Sequence, residues 1–285
     1  MTERGTLGII ACGGELPIAI AESAREAGRN VFLLAMQGLA AAEDVKPFPH
    51  AWGSFGEVGK GLKALHEAGV TDLTLAGKVV RPEWNAIKID ARGALYLPKV
   101  IAAAFKGDDA LLRSLVAFFE KEGFRVIGTA EAAPDLIMPK GKLGRHAPTQ
   151  AQTDDIAHGV KVARALGALD IGQAVAICNG LVLALEAAEG TDAMIARIAD
   201  LPASARGTPS ARRGVLVKVP KPKQERRVDL PVIGTHTVER AAAVGLAGIA
   251  VEAGAALLMH RAKTIAAADR LGLFLLGIEP GAYPE

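Results

Sequence analysis

Five cations stand within ten residues in the string Lys218-Val-Pro-Lys221-Pro-Lys223-Gln224-Glu225-Arg226-Arg227. Prolines at 220, 222 and 231 restrict the backbone around them, and Asp229 places a carboxylate among the charges just before Pro231 and Gly234. A loop that must hold several cations against phosphate oxygens loses less entropy when it is fixed beforehand, so this stretch reads as an anion site. The plainer alternative is a charged connector between elements, and the residues alone leave both open.

Two glycine turns add to the anion chemistry. Cys12-Gly13-Gly14-Glu15-Leu16-Pro17 lies between a first strand and a first helix, where glycines let backbone N–H groups and the positive helix end approach a phosphate or sugar. A tight structural turn accounts for the same residues. The string lacks a full G-x-G-x-x-G, and the second strand ends Ala35-Met36-Gln37 without an acid for a ribose hydroxyl, which argues against NAD. Gly77, Lys78 and Arg81 follow the third strand, where open parallel sheets collect ligands. Surface cations at such a place are also common. In Gly107-Asp108-Asp109-Ala-Leu-Leu-Arg113 an aspartate is either a ligand residue or a helix cap. Asp192 reads as a cap, whereas Glu186, at the end of an apolar strand, could face a cleft and bind Mg2+ or a sugar hydroxyl. The six histidines show no ligand pairing, and no Ser-His-Asp order or nucleophile elbow is present.

These groups are positioned by a pattern of alternating strands and helices. Leu7–Ala11 and Val31–Ala35 read as buried strands around a helix that starts near Pro17. Val58–Ala68 is helical, Gly69 ends it, and Asp72–Ala76 forms the third strand. A helical pattern over 95–122 precedes a strand at 124–127. In the second half, a helix near 154–166, a hairpin of 174–178 and 181–186 turning at Asn179-Gly180, and a helix near 192–199 are expected. Strands near 215–219, 247–251, 256–260 and 273–277 complete it. The fold class is α/β in two domains, an N-terminal Rossmann-like parallel-sheet unit over 1–135 and a C-terminal mixed α/β unit over 154–285. Residues 136–153, rich in Pro, Gly and polar groups, read as a linker.

Composition narrows the class. A hydrophobic fraction of 50% over 285 residues supports substantial cores, and 33 basic against 31 acidic residues give no global field for nucleic acid. Cys12 and Cys178 are too few and too far apart for a disulfide framework or zinc site, which fits a reducing cytoplasm. The N-terminal residues run straight into a strand and suggest no signal peptide. Ala241–Met259 approaches membrane-span length, but Gly245, Gly248, Gly254 and Glu252 divide it into a buried helix and core strands.

Six strings in register across nearly the whole chain carry a resemblance. They are Gly13-Gly14-x-Leu-Pro17; Leu75-Ala-Gly77-x-Val-x-Arg-Pro82; Lys106-Gly-Asp-Asp-x-Leu-Leu-Arg113; Asp170-Ile-Gly-Gln173; Glu189-Gly-Thr-Asp192; and Lys218-x-Pro-Lys-Pro-x-Gln224 with Arg227-x-Asp-Leu-Pro231. Together they resemble the UDP-2,3-diacylglucosamine pyrophosphatases of the LpxI type. The resemblance implies hydrolysis of UDP-2,3-diacylglucosamine to UMP and 2,3-diacylglucosamine 1-phosphate (lipid X) in lipid A synthesis, by two α/β domains and a divalent cation, Mg2+ or Mn2+. It implies work at the cytoplasmic face of the inner membrane by peripheral attachment, and allows a homodimer.

On that basis Lys218, Lys221 and Arg227, with Mg2+, are expected to offset the charge on the phosphate oxygens. Gln224 is expected to orient phosphate or water. Asp229 either holds the metal and its water or takes a proton from that water. Metal ligation is preferred, because a carboxylate amid cations is a poor base; Glu225 is the secondary candidate. Substrate contacts are assigned to Gly13, Gly14, Gly77, Lys78, Arg81, Asp108, Gln173, Glu186 and Thr191, with the nucleotide at the glycine turns. The acyl chains are expected in a groove of the second half. The rival reading is a non-catalytic nucleotide-sugar or phospholipid binding protein, which would gain nothing from Asp229; RNA binding is disfavoured by 4% aromatic residues.

Overall fold

The apolar runs of the first third become strands buried on both faces, as a parallel sheet requires. The computed structural model describes residues 5–79, 88–222, 225–279 and 281–283, with the side chains of Asp108 and Asp109 left out. The chain divides into two units, Met1–Asp135 with Arg227–Asp229, and Leu136–Arg226 with Leu230–Glu285.

The first unit runs β1 (Thr6–Ala11), α1 (Leu16–Glu26), β2 (Val31–Met36), α2 (Ala42–Val45), β3 (His50–Gly53), α3 (Val58–Glu67), β4 (Val70–Ala76), α4 (Ala91–Ala104), α5 (Asp108–Lys121), β5 (Arg125–Val126) and α6 (Thr129–Ala132). Its sheet is all parallel in the order β3-β2-β1-β4-β5. Leu7, Ile9, Leu33 and Leu73 are fully buried in it. The edge strand β3 was not expected, since His50-Ala-Trp-Gly has no apolar run to announce it. The helical stretch expected over 95–122 is two helices. Gly107 has φ 116° and occupies the N-cap of α5, so Asp108 is its first residue rather than its cap. Asp90 anchors the start of α4: one carboxylate oxygen accepts from Gly93 N at 2.7 Å, the other from Gly59 N at 2.7 Å at the start of α3.

The second unit runs β6 (Gly141–Leu143), α7 (Gln150–Ala168), β7 (Ala174–Cys178), β8 (Leu181–Leu185), α8 (Gly190–Ile198), α9 (Ala203–Arg206), β9 (Gly207–Thr208), β10 (Ala211–Arg212), β11 (Val215–Lys218), β12 (Val232–Ile233), α10 (Thr235–Ala243), β13 (Gly248–Glu252), β14 (Leu257–Leu258), α11 (Arg261–Leu271) and β15 (Phe274–Ile278). The main sheet is mixed, in the order β6-β15-β13-β11-β7-β8. β11, β13 and β15 are parallel, and β7, β8 and β6 join antiparallel. Ile156, Val160 and Ala163 of α7 pack with Val175, Ile177, Val215 and Val217 on one face. Met194, Ile195 and Val238 pack with Leu216, Ile249 and Leu275 on the other. This is the α/β pair of units expected, with a parallel sheet first and a mixed sheet second. The β7–β8 turn has Asn179 and Gly180 both left-handed, at φ 51° and 78°, the backbone a two-residue hairpin favours. Residues 136–153 supply β6 on the edge of the sheet and the start of α7, where Thr149 and Gln152 form a capping box. A three-residue strand has too little periodicity to be seen among glycines and prolines. Ala241–Met259 holds the end of α10, then β13 and β14; no described helix is long and apolar enough to cross a membrane.

Candidate active site

In the first unit the order of the sheet reverses beside β1, whose loop leads to α1 and β2 on one side while β4 lies on the other. Beyond the carboxyl ends of these strands the two glycine turns come together. Gly13 N donates to Lys78 O at 3.0 Å, and Lys78 N donates to Gly13 O at 2.7 Å. Gly77 has φ 99°, and a Cβ there would lie 2.6 Å from Gly13 O. The glycines therefore let two backbones touch, and the Gly13 amide is committed to Lys78 rather than offered to a phosphate. Gly14, at φ 88° with open space around it, serves the turn itself. Arg81 and Gln224 lie outside the described residues, as does the side chain of Asp108.

The same strand ends open on a cavity of about 440 Å3, a size typical of small-molecule sites, roughly 300–1,000 Å3. Leu34 and Leu75 from the sheet, Leu62 of α3, Val100 of α4 and Leu112 and Leu115 of α5 make its walls largely apolar. Cys12 and Gly77 reach it from the glycine turns, and Val228 and Asp229 line it from the short segment 227–229. That segment packs so closely on Gly128 that a Cβ there would lie 3.0 Å from Arg227 Cα. Burial pushes the Cys12 thiol up to about 11, which keeps it neutral and unreactive.

The second unit builds a different kind of centre. Lys218, the last residue of β11, is buried; its Nζ donates to Thr191 Oγ1 at 2.9 Å. Thr191, in the first turn of α8, donates its own hydroxyl hydrogen bond to Glu186 Oε1, while Glu186 Oε2 accepts from Gln173 N at 3.0 Å. Glu186, read from the sequence as a carboxylate that could face a cleft, is buried just after β8, with both carboxylate oxygens hydrogen-bonded to neighbours in this unit. Gly172 makes room: a Cβ there would lie 2.2 Å from Glu186 O. Asp192 is not a cap. The N-cap position belongs to Glu189, and Asp192 stands in the first turn within 3.8 Å of His236 and 3.9 Å of Arg240.

The cations expected to act as one cluster divide between the units. Lys218 and Lys221 belong to the second, where Lys221 Nζ meets Asp170 Oδ1 at 2.7 Å. Arg227 and Asp229 belong to the first, where Arg227 Nη1 meets Glu120 Oε1 at 2.7 Å. Among the described residues no group of three or more His, Cys, Asp or Glu side chains could hold a metal ion.

Nothing in the sequence periodicity announced this cavity, although Leu111, Leu112 and Leu115 lie within the helical pattern expected over 95–122. The signal was the pair of apolar helices over 91–121, more apolar surface than five short strands need to cover one face.

Family models match both units: the LpxI N-terminal domain over residues 6–136 and the LpxI C-terminal domain over residues 139–276. The chain is 49% identical over 278 residues to a protein of Caulobacter vibrioides called UDP-2,3-diacylglucosamine pyrophosphatase LpxI, covering 98% of this chain and 99% of that one.

Proposed function

The chain belongs to the LpxI family, and from that premise we propose that it hydrolyses the pyrophosphate of UDP-2,3-diacylglucosamine to UMP and 2,3-diacylglucosamine 1-phosphate; its Caulobacter relative is named a pyrophosphatase of that substrate. The observation that carries this reading is Asp229 on the wall of a largely apolar cavity. An acyl chain needs such a cavity, and a carboxylate at its edge stands where the polar, phosphate-bearing part of such a substrate would begin. We therefore assign the acyl chains to the first unit.

Hydrolysis forms a bond from water oxygen to phosphorus and breaks the anhydride P–O bond, whose electron pair leaves with the departing phosphate. Negative charge spreads over the phosphate oxygens on the way, so fixed cations stabilise the transition state. Lys218 is the fixed one, held by Thr191 before substrate arrives. Lys221 and Arg227 are held by partly exposed ion pairs, worth only about 0–1 kcal/mol each. Exchanging Asp170 or Glu120 for a phosphate oxygen therefore costs little. Mg2+ is commonly bound through one or two carboxylates together with a substrate's phosphates, and Asp229 is the carboxylate this reading offers it. Asp229 would hold the ion, which when bound supplies positive charge against the phosphate oxygens. A lipid substrate also places the protein against the membrane surface that contains it.

The test is UMP release from UDP-2,3-diacylglucosamine by purified protein, with Mg2+ and with chelator. Release that stops on chelation and is abolished in Asp229→Ala, with substrate still bound, supports the proposal. Binding without release by the wild type would instead mean a carrier of nucleotide sugars.

A further inference from the structure

We propose that the outer face of α4 is a docking surface for an anionic lipid bilayer, through which acyl chains reach the cavity beneath it; this rests on the acyl-chain reading of that cavity. The helix has two unlike faces. Its inner face supplies Tyr96, Leu97, Val100 and Ala104 to the cavity wall. Its outer face carries large apolar residues that an ordinary surface helix would not present: Leu95 is 71% exposed and Phe105, at the C-cap, 87%.

Helical spacing sorts that outer face into two strips. At 100° per residue, Leu95, Pro98, Ala102 and Phe105 fall on one continuous apolar band, with exposed Arg92, Lys99 and Lys106 along one edge. An apolar band with a cationic edge is the form of a helix that lies in a lipid interface, its apolar side among acyl chains and its cations at the phosphates. Charge agrees: Lys88, Lys99 and Lys106 lie along this stretch, while Arg92 is paired with Glu122 at 2.5 Å, Asp90 is used at the starts of α3 and α4, and Asp108 and Asp109 follow in the first turn of α5. Val79 and Ile89 are also exposed, at 51% and 52%. A second protein copy would cover the apolar band as well, but it would give the cationic edge no phosphates to meet. The inner face of α4 lines the cavity, so a bilayer on its outer face would lie one helix away from the space assigned to the acyl chains.

The experiment uses the full chain and vesicles of phosphatidylethanolamine, with or without phosphatidylglycerol. Wild type is expected to co-sediment with the anionic vesicles. The double variant Leu95→Glu with Phe105→Glu is expected to bind them roughly tenfold or more weakly. Leu95→Ser with Phe105→Ser serves if the glutamates lower the melting temperature. Lys99→Glu with Lys106→Glu should remove the preference for phosphatidylglycerol. The variants should hydrolyse detergent-solubilised substrate at the wild-type rate and vesicle-embedded substrate more slowly. Equal vesicle binding by wild type and the double variant overturns the inference, as does a wild-type dimer that the variant splits into monomers. If no protein hydrolyses the solubilised substrate, the enzymatic reading fails, while vesicle binding still reports on the docking surface.

Discussion

Lys218 Nζ and Thr191 Oγ1 lie 2.9 Å apart, with the threonine proton directed to Glu186, so a buried ammonium is held by a hydroxyl that a buried carboxylate orients. The order matters. Glu186 spends both oxygens on Thr191 and Gln173 N, which leaves Thr191 only a lone pair to present, and a lone pair is what an ammonium needs. The pair thereby turns an otherwise flexible lysine into a fixed cation.

Thr191→Val keeps the branched shape and removes the hydroxyl. A hydrogen bond to a charged group is worth roughly 1.5–3 kcal/mol, so kcat should fall about ten- to a hundredfold if Lys218 acts on the transition state. Thr191→Ser should restore most of it. Steady-state kinetics and melting temperature measured together separate this from simple destabilisation: a loss of stability with unchanged kcat would give the network a structural role alone.

Filling the cavity should select against long acyl chains. Leu112→Trp or Val100→Trp intrudes on the space that an acyl chain would occupy, displacing a few methylenes at about 0.8 kcal/mol each, or roughly fiftyfold in KM for three. A substrate with shortened chains should be affected much less. Equal effects on both would place the chains elsewhere.

Cys12 should be inert despite its place at the cavity wall. With its thiol pushed up to about 11, only about one molecule in a thousand carries a thiolate at pH 8. Iodoacetamide should neither label it in the folded protein nor slow UMP release, and Cys12→Ser should stay active. Mass spectrometry before and after unfolding checks the first point.

Asp72 should make the first unit sensitive to acid. Burial alone would raise its carboxyl, but hydrogen bonds from Arg125, at 2.7 Å to each oxygen, and from Arg29 hold it below the ordinary aspartate value of 3.8. A depressed folded value contributes stability at every pH above the unfolded value and loses it as pH falls through the folded one. Asp72→Asn should therefore cost about 3 kcal/mol at neutral pH, because Arg29 is left buried without its carboxylate. The difference from wild type should shrink as pH falls through the depressed folded value, in urea midpoints followed by circular dichroism.

Much of the fold was legible because it is written in local periodicity. The runs at 7–11, 31–35 and 72–76 are parallel strands since a sheet covered on both faces admits only apolar residues, and Asn179-Gly180 is a hairpin since both positions need left-handed backbone. The glycine turns at 13 and 77 were visible as turns. Their mutual hydrogen bonds were not, because pairing across 64 residues depends on which strands become neighbours.

Family membership, the two α/β units and the local chemistry of each string follow from composition, periodicity and motif spacing, which are properties of adjacent residues. The burial of Glu186, the hold of Thr191 on Lys218 and the apolar cavity of the first unit with Asp229 on its wall come from packing in three dimensions. Those facts turn on contacts between residues far apart in the chain. Burial, which decides whether a carboxylate binds a ligand or serves a neighbour, is set by what packs over it and is not encoded at its own position.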